Sequence, residues 1–356
     1  MSANPHSAAA KLTGLELENG WRVYKAAQAS PSATGGHFSH SYVVENGSRK
    51  GFLKAFDFSE AFGHGADTPR RLQQMTSSFN HERDILFHCK DRRLSKVVIA
   101  IEHGSVQVPD FSSIEGEVQY LIFELADGDI RGQVDASKRF DNLWCLRALN
   151  DVCLGLWQVH REMIAHQDLK PSNVLLYRKS NEFRLADFGC CSRRGVLAPR
   201  DELSFPGDWT YAPPELIYGY THPDFFARRV GCDLYMLGNI AAFLFCGVNI
   251  TTQVLTCLPP NTHPNAWTGT YEDVKPYLCH AFTEVLEKIT PQIDEHICPD
   301  VVRLIRELCN PDVTRRGHPR GVGKQSQFSL ERYVSELGPI VKRAELATRL
   351  RRAANA

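Results

Sequence analysis

The sequence has little of what would assign it to a protein class at once. Its eleven cysteines are an odd number, and the only closely spaced pair is Cys190 next to Cys191, so the C-x-x-C spacing of a zinc or redox site does not occur. We therefore predict reduced thiols in a cytoplasmic protein. The start of the chain also lacks the apolar core of a signal peptide.

Long apolar runs and an excess of charge are missing too. The longest apolar stretch, residues 234–250, contains Gly238 and Asn239 and falls short of the roughly 20 residues that cross a bilayer. It predicts a buried core helix and no membrane span. Forty-one basic side chains balance forty-one acidic ones, which argues against nucleic acid or an anionic membrane as a partner. Any charged ligand must then be bound locally.

What is present is the composition of an ordinary globular protein. The chain has 356 residues, of which 43% are hydrophobic and 23% charged. This length allows one large two-lobed domain or two smaller ones with a sizeable core, and the composition excludes a disordered chain and a fibre. We predict an N-terminal extension over residues 1–19.

Residues 20–126 are predicted to form a small antiparallel sheet interrupted by one helix. The strands are expected at residues 21–27, 41–45, 51–56, 97–103 and 120–124. Asn-Gly at residues 46–47 is a hairpin turn signal. A capping aspartate followed by Pro69 begins the helix. The apolar positions of this helix recur at helical spacing, and the same stripe places Glu82 on the inward face.

After residue 126 the sequence becomes mostly helical. Periodic segments lie near residues 143–160, 233–246, 275–289 and 300–308. We predict a helical unit over residues 127–320 and a C-terminal tail over residues 321–356. The basic end of this tail, from residue 341, is expected to be a solvated helix, with a partner-binding element as the alternative.

The residues that indicate a function lie between 164 and 215. The segment H-Q-D-L-K-P-S-N, residues 166–173, places an acid, a cation and an amide close together, directly before an apolar run. Fourteen residues after Asn173 comes D-F-G, residues 187–189. In order and spacing, this combination resembles the catalytic loop and the metal-binding motif of the eukaryotic-type protein kinase family.

The resemblance extends from about residue 21 to residue 317. G-F-L-K-A at residues 51–55 is similar to the strand that carries the family's ATP-binding lysine, here Lys54, and Glu82 is its expected ion-pair partner. The two lie farther apart in sequence than is usual, so the linker around residues 63–67 looks inserted. A strand-edge lysine and a surface glutamate are the alternative interpretation.

Two further segments resemble known parts of the family. F-E-L-A at residues 123–126 is similar to the hinge between the lobes, where the backbone of Glu124 and Ala126 would bond the adenine edge, although a plain turn also fits residues 127–129. The segment 207–215, ending in P-P-E, resembles the end of the activation segment. Its last residue, Glu215, would pair with Arg316 in a structural role.

The resemblance implies a task for each matched residue, because phosphoryl transfer from ATP requires positioning and charge neutralisation. Asp168 would accept the proton of the substrate hydroxyl, and Lys170 would hold the migrating phosphate. Asn173 and Asp187 would supply hard oxygen ligands for Mg²⁺. Lys54 would hold the α and β phosphates.

The sequence departs from the family at three places. The phosphate-covering loop, residues 34–41, keeps only the middle glycine, Gly36, and the aromatic Phe38 of the family pattern, and close backbone approach to phosphates is still possible at Gly36. Gln167 replaces an arginine that reads an activating phosphate in many members, and Arg193 and Arg194 are the candidates to replace that cation. Asp208 replaces a threonine, and its carboxylate either raises a neighbouring pKa or pairs with a lysine.

Together these features imply an α+β, two-lobed protein-kinase-like fold with a small antiparallel sheet lobe and a larger helical lobe. The expected activity is phosphorylation of serine or threonine hydroxyls on protein substrates with ATP and Mg²⁺, since Lys170 in D-L-K-P-S-N favours these acceptors by resemblance. One alternative is a pseudokinase that binds nucleotide or acts as a scaffold. The other is a small-molecule phosphotransferase of the kinase-like fold, against which Lys170, the P-P-E segment and Arg316 argue.

Overall fold

The computed structural model describes residues 4–27, 39–62, 67–112, 114–134 and 141–354, and for residues 347 and 351–354 the backbone alone. The chain forms a smaller lobe built on a five-stranded antiparallel sheet and a larger lobe built mainly of helices. The predicted α+β, two-lobed fold is confirmed.

The smaller lobe contains one continuous sheet. Its strands are β1 (Arg22–Ala26), β2 (Ser39–Asn46), β3 (Arg49–Phe56), β4 (Ala100–Gln107) and β5 (Glu117–Glu124). They lie in the order β1-β2-β3-β5-β4, and each neighbouring pair is antiparallel. Alternate side chains such as Val44, Leu53 and Ile122 are fully buried, because successive residues of a strand point to opposite faces.

The predicted start of β4 is wrong, and β4 and β5 also extend beyond their predicted bounds. The apolar residues at 97–99 were expected to open β4, but β4 begins at Ala100. Val97 and Val98 instead pack with the larger lobe, where the Val98 N–H donates to the Leu185 carbonyl over 2.9 Å. Both valines are buried in the core of the larger lobe, and this burial accounts for their apolar character.

The N-terminal segment packs on the sheet. Leu12, Leu17 and Trp21 are buried in the core of the smaller lobe, and the Tyr42 hydroxyl donates to the Ala9 carbonyl over 2.7 Å. The described part of the predicted extension is therefore a cover for the sheet and adds to its core.

Two helices separate β3 from β4: α1 (Ser59–Phe62) and α2 (Thr68–Asp91). Pro69 lies in the first turn of α2, where its missing N–H costs no hydrogen bond. The inward face of α2 buries Phe79, Glu82 and Leu86. A buried glutamate among apolar neighbours requires a partner.

Among the described residues, the larger lobe contains the remaining helices and five short strands. In chain order these are β6 (Gly128–Asp129), α3 (Ile130–Gln133), α4 (Asn142–Arg161), β7 (Ile164–Ala165), β8 (Val174–Tyr177), β9 (Glu182–Leu185), β10 (Ser192–Arg193), α5 (Pro214–Ile217), α6 (Gly231–Cys246), α7 (Ile250–Cys257), α8 (Tyr271–Ile289), α9 (Cys298–Leu308) and α10 (Glu331–Ala354). The 166–173 segment lies between β7 and β8, and D-F-G follows β9.

Helix α6 is the centre of the larger lobe. Together with the turn before it, Phe226–Cys246, it is the one helix in the described ranges that is long and apolar enough to cross a membrane, and it is mostly buried inside the protein. Its side chains contact α4 and α9. This is the arrangement of a core helix.

The C-terminal helix is longer and more buried than the sequence indicates. Helix α10 begins at Glu331 and buries Tyr333, Leu337 and Ile340 against the larger lobe. Arg147 on α4 also pairs with Glu345 at 2.8 Å. The buried face of α10 lies mainly before residue 341. From residue 341 on, Val341 is buried, whereas Lys342, Arg343 and Leu346 are exposed, as predicted for a solvated helix.

Candidate active site

Lys54 on β3 lies at the centre of a charged cluster. Its Nζ is 2.8 and 3.0 Å from the two carboxylate oxygens of Glu82 and 3.1 Å from Asp187 Oδ1. β3 presents the lysine from the sheet, α2 presents the glutamate, and the loop after β9 presents the aspartate. The structure therefore brings together three predicted site residues that are far apart in sequence.

The charges in this cluster fix one another. Burial acts to lower the pKa of Lys54, but Asp187 and Glu82 outweigh it and hold that pKa above its ordinary value. Lys54 is the main cause that lowers the pKa of Asp187 to about 2. Burial raises the pKa of Glu82 even though Lys54 opposes it. At neutral pH the lysine is cationic and Asp187 is anionic.

The second group of predicted residues lies in the 166–173 segment. Asn173 Nδ2 donates to the Asp168 carbonyl over 2.8 Å and to Asp168 Oδ2 over 3.0 Å. Lys170 Nζ lies 3.1 Å from the same Asp168 oxygen. All three side chains are largely buried. Burial raises the pKa of Asp168, and Lys170 only partly offsets it, which suits a carboxylate that accepts a proton.

Asp233 at the start of α6 holds this segment in place. Its carboxylate accepts the backbone N–H groups of His166 and Gln167, each over 2.7 Å. Gln167 and Asp187 both have left-handed backbones, with φ of 62° and 63°. Such conformations are uncommon for residues other than glycine and persist only where the surroundings fix them. The buried Asp233 supplies that support next to Asp168.

Asp208 forms the lysine pair that was one of its two expected roles. Its carboxylate lies 3.6 Å from Lys170 Nζ, and its backbone N–H donates to Asp168 Oδ1 over 2.8 Å. That hydrogen bond favours ionised Asp168 and so offsets part of the rise in its pKa that burial causes. Burial acts to raise the pKa of Asp208 itself, but hydrogen bonds from Thr210, with help from Lys170, lower it.

The hinge residues lie where the lobes meet. Glu124 ends β5, and its carboxylate accepts a hydrogen bond from Arg184 over 2.7 Å. Ala126 follows it and is half-buried. Phe123 is buried on the core side. Gly36 and the linker at residues 63–66 lie outside the described residues, so their expected roles stay predictions.

Oxygen atoms suited to a divalent cation are present in the cleft. The amide nitrogen of Asn173 is used by Asp168, which leaves its amide oxygen for another ligand, and only one oxygen of Asp187 contacts Lys54. No cluster of three or more His, Cys, Asp or Glu side chains with metal-binding geometry occurs in the described ranges. Mg²⁺ does not require one, since it binds through one or two carboxylates together with substrate phosphates. The residues present fit Mg²⁺ in this way.

A second ion pair lies well inside the larger lobe. Arg316 donates from its two terminal nitrogens to the two oxygens of Glu215 over 2.6 and 2.7 Å. Its remaining hydrogen bonds go to the carbonyls of Gly231 and Asn310, each over 3.1 Å. This is the forked geometry that favours arginine over lysine. It joins the end of the activation segment to the start of α6.

Comparison with known proteins agrees with this architecture. The model of the family described as "Protein kinase domain" matches residues 67–326, more than half of the chain. The chain belongs to the protein kinase family. The match begins after β3 and does not include Lys54. Only the contacts described above place Lys54 in the site.

The curated relatives carry kinase names. Hormonally up-regulated neu tumor-associated kinase homolog B of Xenopus laevis is 25% identical over 228 residues, which cover 63% of this chain and 32% of the relative. Hormonally up-regulated neu tumor-associated kinase of Mus musculus is 25% identical over 63% of this chain and 28% of its own length. The chain thus matches less than a third of the length of these relatives.

Proposed function

We propose that this protein kinase transfers the γ-phosphate of ATP to serine and threonine hydroxyls of protein substrates, with Mg²⁺. The observation that carries the proposal is the joining of two groups at one cleft: Lys54 with Glu82 and Asp187, and Asp168 with Lys170 and Asn173. Lys170 also acts to lower the pKa of Asp187, which supports an electrostatic link between the two groups.

Each side chain has one task in this proposal. Lys54, held by Glu82, binds the α and β phosphates. Lys170 neutralises charge on the transferred phosphoryl group. Asp168 orients the acceptor hydroxyl and accepts its proton. The oxygens of Asn173 and Asp187 hold Mg²⁺, which supplies positive charge to the phosphates when bound.

The charge balance of the cleft supports a divalent cation. Two ammonium groups meet four carboxylates, which belong to Glu82, Asp168, Asp187 and Asp208. The cleft therefore has an excess of two negative charges when all of these groups are ionised. An ATP molecule, which is itself an anion, requires a cation to enter such a site. Mg²⁺ would offset this excess.

Incubation with γ-³²P-labelled ATP and Mg²⁺ tests the proposal. A general protein acceptor and a panel of aminoglycosides are offered separately, and Asp168→Asn is run beside the wild type. Label on serine or threonine of the protein acceptor that is lost in the variant supports the proposal. Label on an aminoglycoside would make the protein a small-molecule phosphotransferase. Nucleotide binding without any transfer would make it a pseudokinase.

We also propose that the protein works in the cytoplasm. No disulfide bond joins cysteines in the part of the chain that the structure describes, and several cysteines, such as Cys89, Cys153 and Cys309, are buried in the core. Reduced thiols are typical of that compartment. Fractionation of cells that produce the protein would test this, and recovery with the secreted or membrane fraction would contradict it.

A further inference from the structure

The activation segment, residues 187–215, is tied to the catalytic loop by Gln167. This side chain is almost fully buried. Its amide nitrogen donates to the Cys190 carbonyl over 3.0 Å and to Ser192 Oγ over 2.8 Å. Its amide oxygen accepts from Arg229 Nη1 over 2.6 Å. One neutral side chain thus joins Asp168, its neighbour in sequence, to the activation segment and to an arginine that sequence reasoning missed.

Asp201 closes the other side of the same network. Its carboxylate accepts from Ser192 Oγ over 2.6 Å and from the Ala198 N–H over 2.8 Å. Arg229 Nη2 lies 3.7 Å from that carboxylate and donates to the Asp201 carbonyl over 2.9 Å. Arg228 adds a further contact to the activation segment by donating to the Leu203 carbonyl over 2.8 Å. The segment is therefore fixed on both sides of Asp201.

In this arrangement the anion near the arginine belongs to the protein itself. A phosphate orders a loop by accepting charge-assisted hydrogen bonds from arginine. Arg229 is 4% exposed, and its two terminal nitrogens already donate to Gln167 and to the activation segment. Ser192 is 3% exposed and donates its hydroxyl proton to Asp201. Arg193 and Arg194, the cations expected from sequence, lie elsewhere: Arg193 pairs with Ile164 in a strand, and Arg194 lies over Phe226.

We propose that Gln167, Arg229 and Asp201 position the catalytic loop and the activation segment without phosphorylation, with the Asp201 carboxylate serving as the anion. They are positioning residues, because they act through Asp168 and contact no reacting atom. The kinetic part of this inference rests on the proposed function, whereas its structural part does not. Two independent measurements therefore test it.

The kinetic test compares phosphatase-treated and untreated protein, followed by Asp201→Ala and its matched control Glu202→Ala. Glu202 is the neighbouring, exposed carboxylate. We expect phosphatase treatment to change turnover by less than about twofold. Asp201→Ala should lower kcat by about tenfold or more, with KM for ATP nearly unchanged, because the nucleotide site is intact. Glu202→Ala should match the wild type.

The structural test measures amide hydrogen exchange over residues 190–206. Exchange should rise in Asp201→Ala and stay at the wild-type level in Glu202→Ala, since only the first removes the anchor. If Asp201→Ala fails to fold, Asp201→Asn decides, because it keeps the shape and an acceptor for Ser192 but loses the charge opposite Arg229. It should show a smaller loss of kcat and a smaller rise in exchange. Arg229→Lys should also show a smaller loss of kcat and a smaller rise in exchange, since it keeps the positive charge and loses the two-nitrogen geometry of the guanidinium.

Two results would overturn the inference. One is a tenfold loss of turnover on phosphatase treatment, since phosphate would then be the anion that orders the segment. The other is an Asp201→Asn variant with wild-type exchange over residues 190–206. If the untreated wild type transfers no phosphate at all, the proposed function fails, and the exchange measurements still decide whether this network fixes the segment.

Discussion

The two prominent ion clusters of this protein differ in their balance of charge and in their access to solvent. Arg316 and Glu215 form a closed pair, with side chains 0% and 6% exposed, and the guanidinium donates four hydrogen bonds to Glu215 and to two backbone carbonyls inside the lobe. Lys54 meets two carboxylates, and the Asp187 side chain is 36% exposed. One cluster is neutral and sealed, and the other has excess negative charge and opens on a cleft.

This difference distinguishes an ion pair that stabilises the fold from a charged cluster that can bind a ligand. In the buried pair both carboxylate oxygens already accept from the guanidinium, so neither oxygen is left to bind a ligand. Removing one partner leaves the other charge buried and unpaired. A cluster with unbalanced carboxylates at a cleft has capacity for a cation and an anionic substrate. We therefore expect substitutions in the cleft to change activity more than stability, and substitutions in the sealed pair to do the reverse.

The largest effect is expected for Asp168→Asn. Loss of the proton acceptor should lower turnover by about 10²–10⁴-fold, while nucleotide binding stays near the wild-type level because, in the proposed function, Asp168 contacts the acceptor hydroxyl and not the nucleotide. Asparagine can still accept from the Asp208 N–H, so the loop should keep its shape. Steady-state kinetics and nucleotide titration measure both. Asp187→Ala is the contrasting variant, expected to lose Mg²⁺-dependent nucleotide binding, and wild-type turnover of Asp168→Asn would refute the assignment.

The sealed pair should respond in stability. Arg316→Met leaves Glu215 buried without its cation, at a cost of about 3–5 kcal/mol. Arg315→Met is the matched control, because the Arg315 side chain is 78% exposed, and it should change stability by less than about 0.5 kcal/mol. Thermal unfolding followed by circular dichroism compares the two. Equal midpoints would show that Arg316 and Glu215 do not stabilise the fold.

Lys54→Met should separate activity from stability most clearly. Turnover should fall by about 10²-fold, since the cation for the phosphates is lost. Unfolding should change little, because Glu82, whose pKa is already raised by burial, can take up a proton when the lysine is gone. Lys50→Met, at an exposed position on the same strand, serves as the control. Equal activity of the two variants would remove Lys54 from the site.

Sequence patterns predicted the parts of this comparison that depend on local order. The helical stripe placed Glu82 inward, and the 166–173 segment carries its own functional residues within one loop. The network of Gln167, Asp201 and Arg229 could not be predicted in this way. Gln167 and Arg229 lie 62 residues apart, and only the packing of the turn before α6 against the catalytic loop brings them together.

Burial at the two ends of the chain also depends on residues that are distant in the sequence. Ala8 and Ala9 give a weak periodic signal, and their burial depends on a sheet that forms later in the sequence. The basic residues from residue 341 indicated a solvated helix there. The first turns of α10, before that residue, bury Tyr333 and Leu337 next to α4, which lies far away in the sequence. Composition describes a segment, whereas burial depends on its neighbours.

The smallest expected effect is the response of the cleft cluster to acid. Lys54 lowers the pKa of Asp187 from 3.8 to about 2, so ionised Asp187 stabilises the fold above about pH 4, and this contribution is lost as the pH falls from about 4 to about 2. Without solvent screening, this pKa shift would correspond to about 2 kcal/mol in the free energy of unfolding. Because the Asp187 side chain is 36% exposed, solvent screening should reduce this contribution to about 1 kcal/mol or less. From pH 6 to pH 3, the thermal midpoint should therefore fall slightly more for the wild type than for Asp187→Asn. Asp110→Asn, at an exposed position, should follow the wild type; the same fall in all three proteins would show that Lys54 and Asp187 are not coupled in solution.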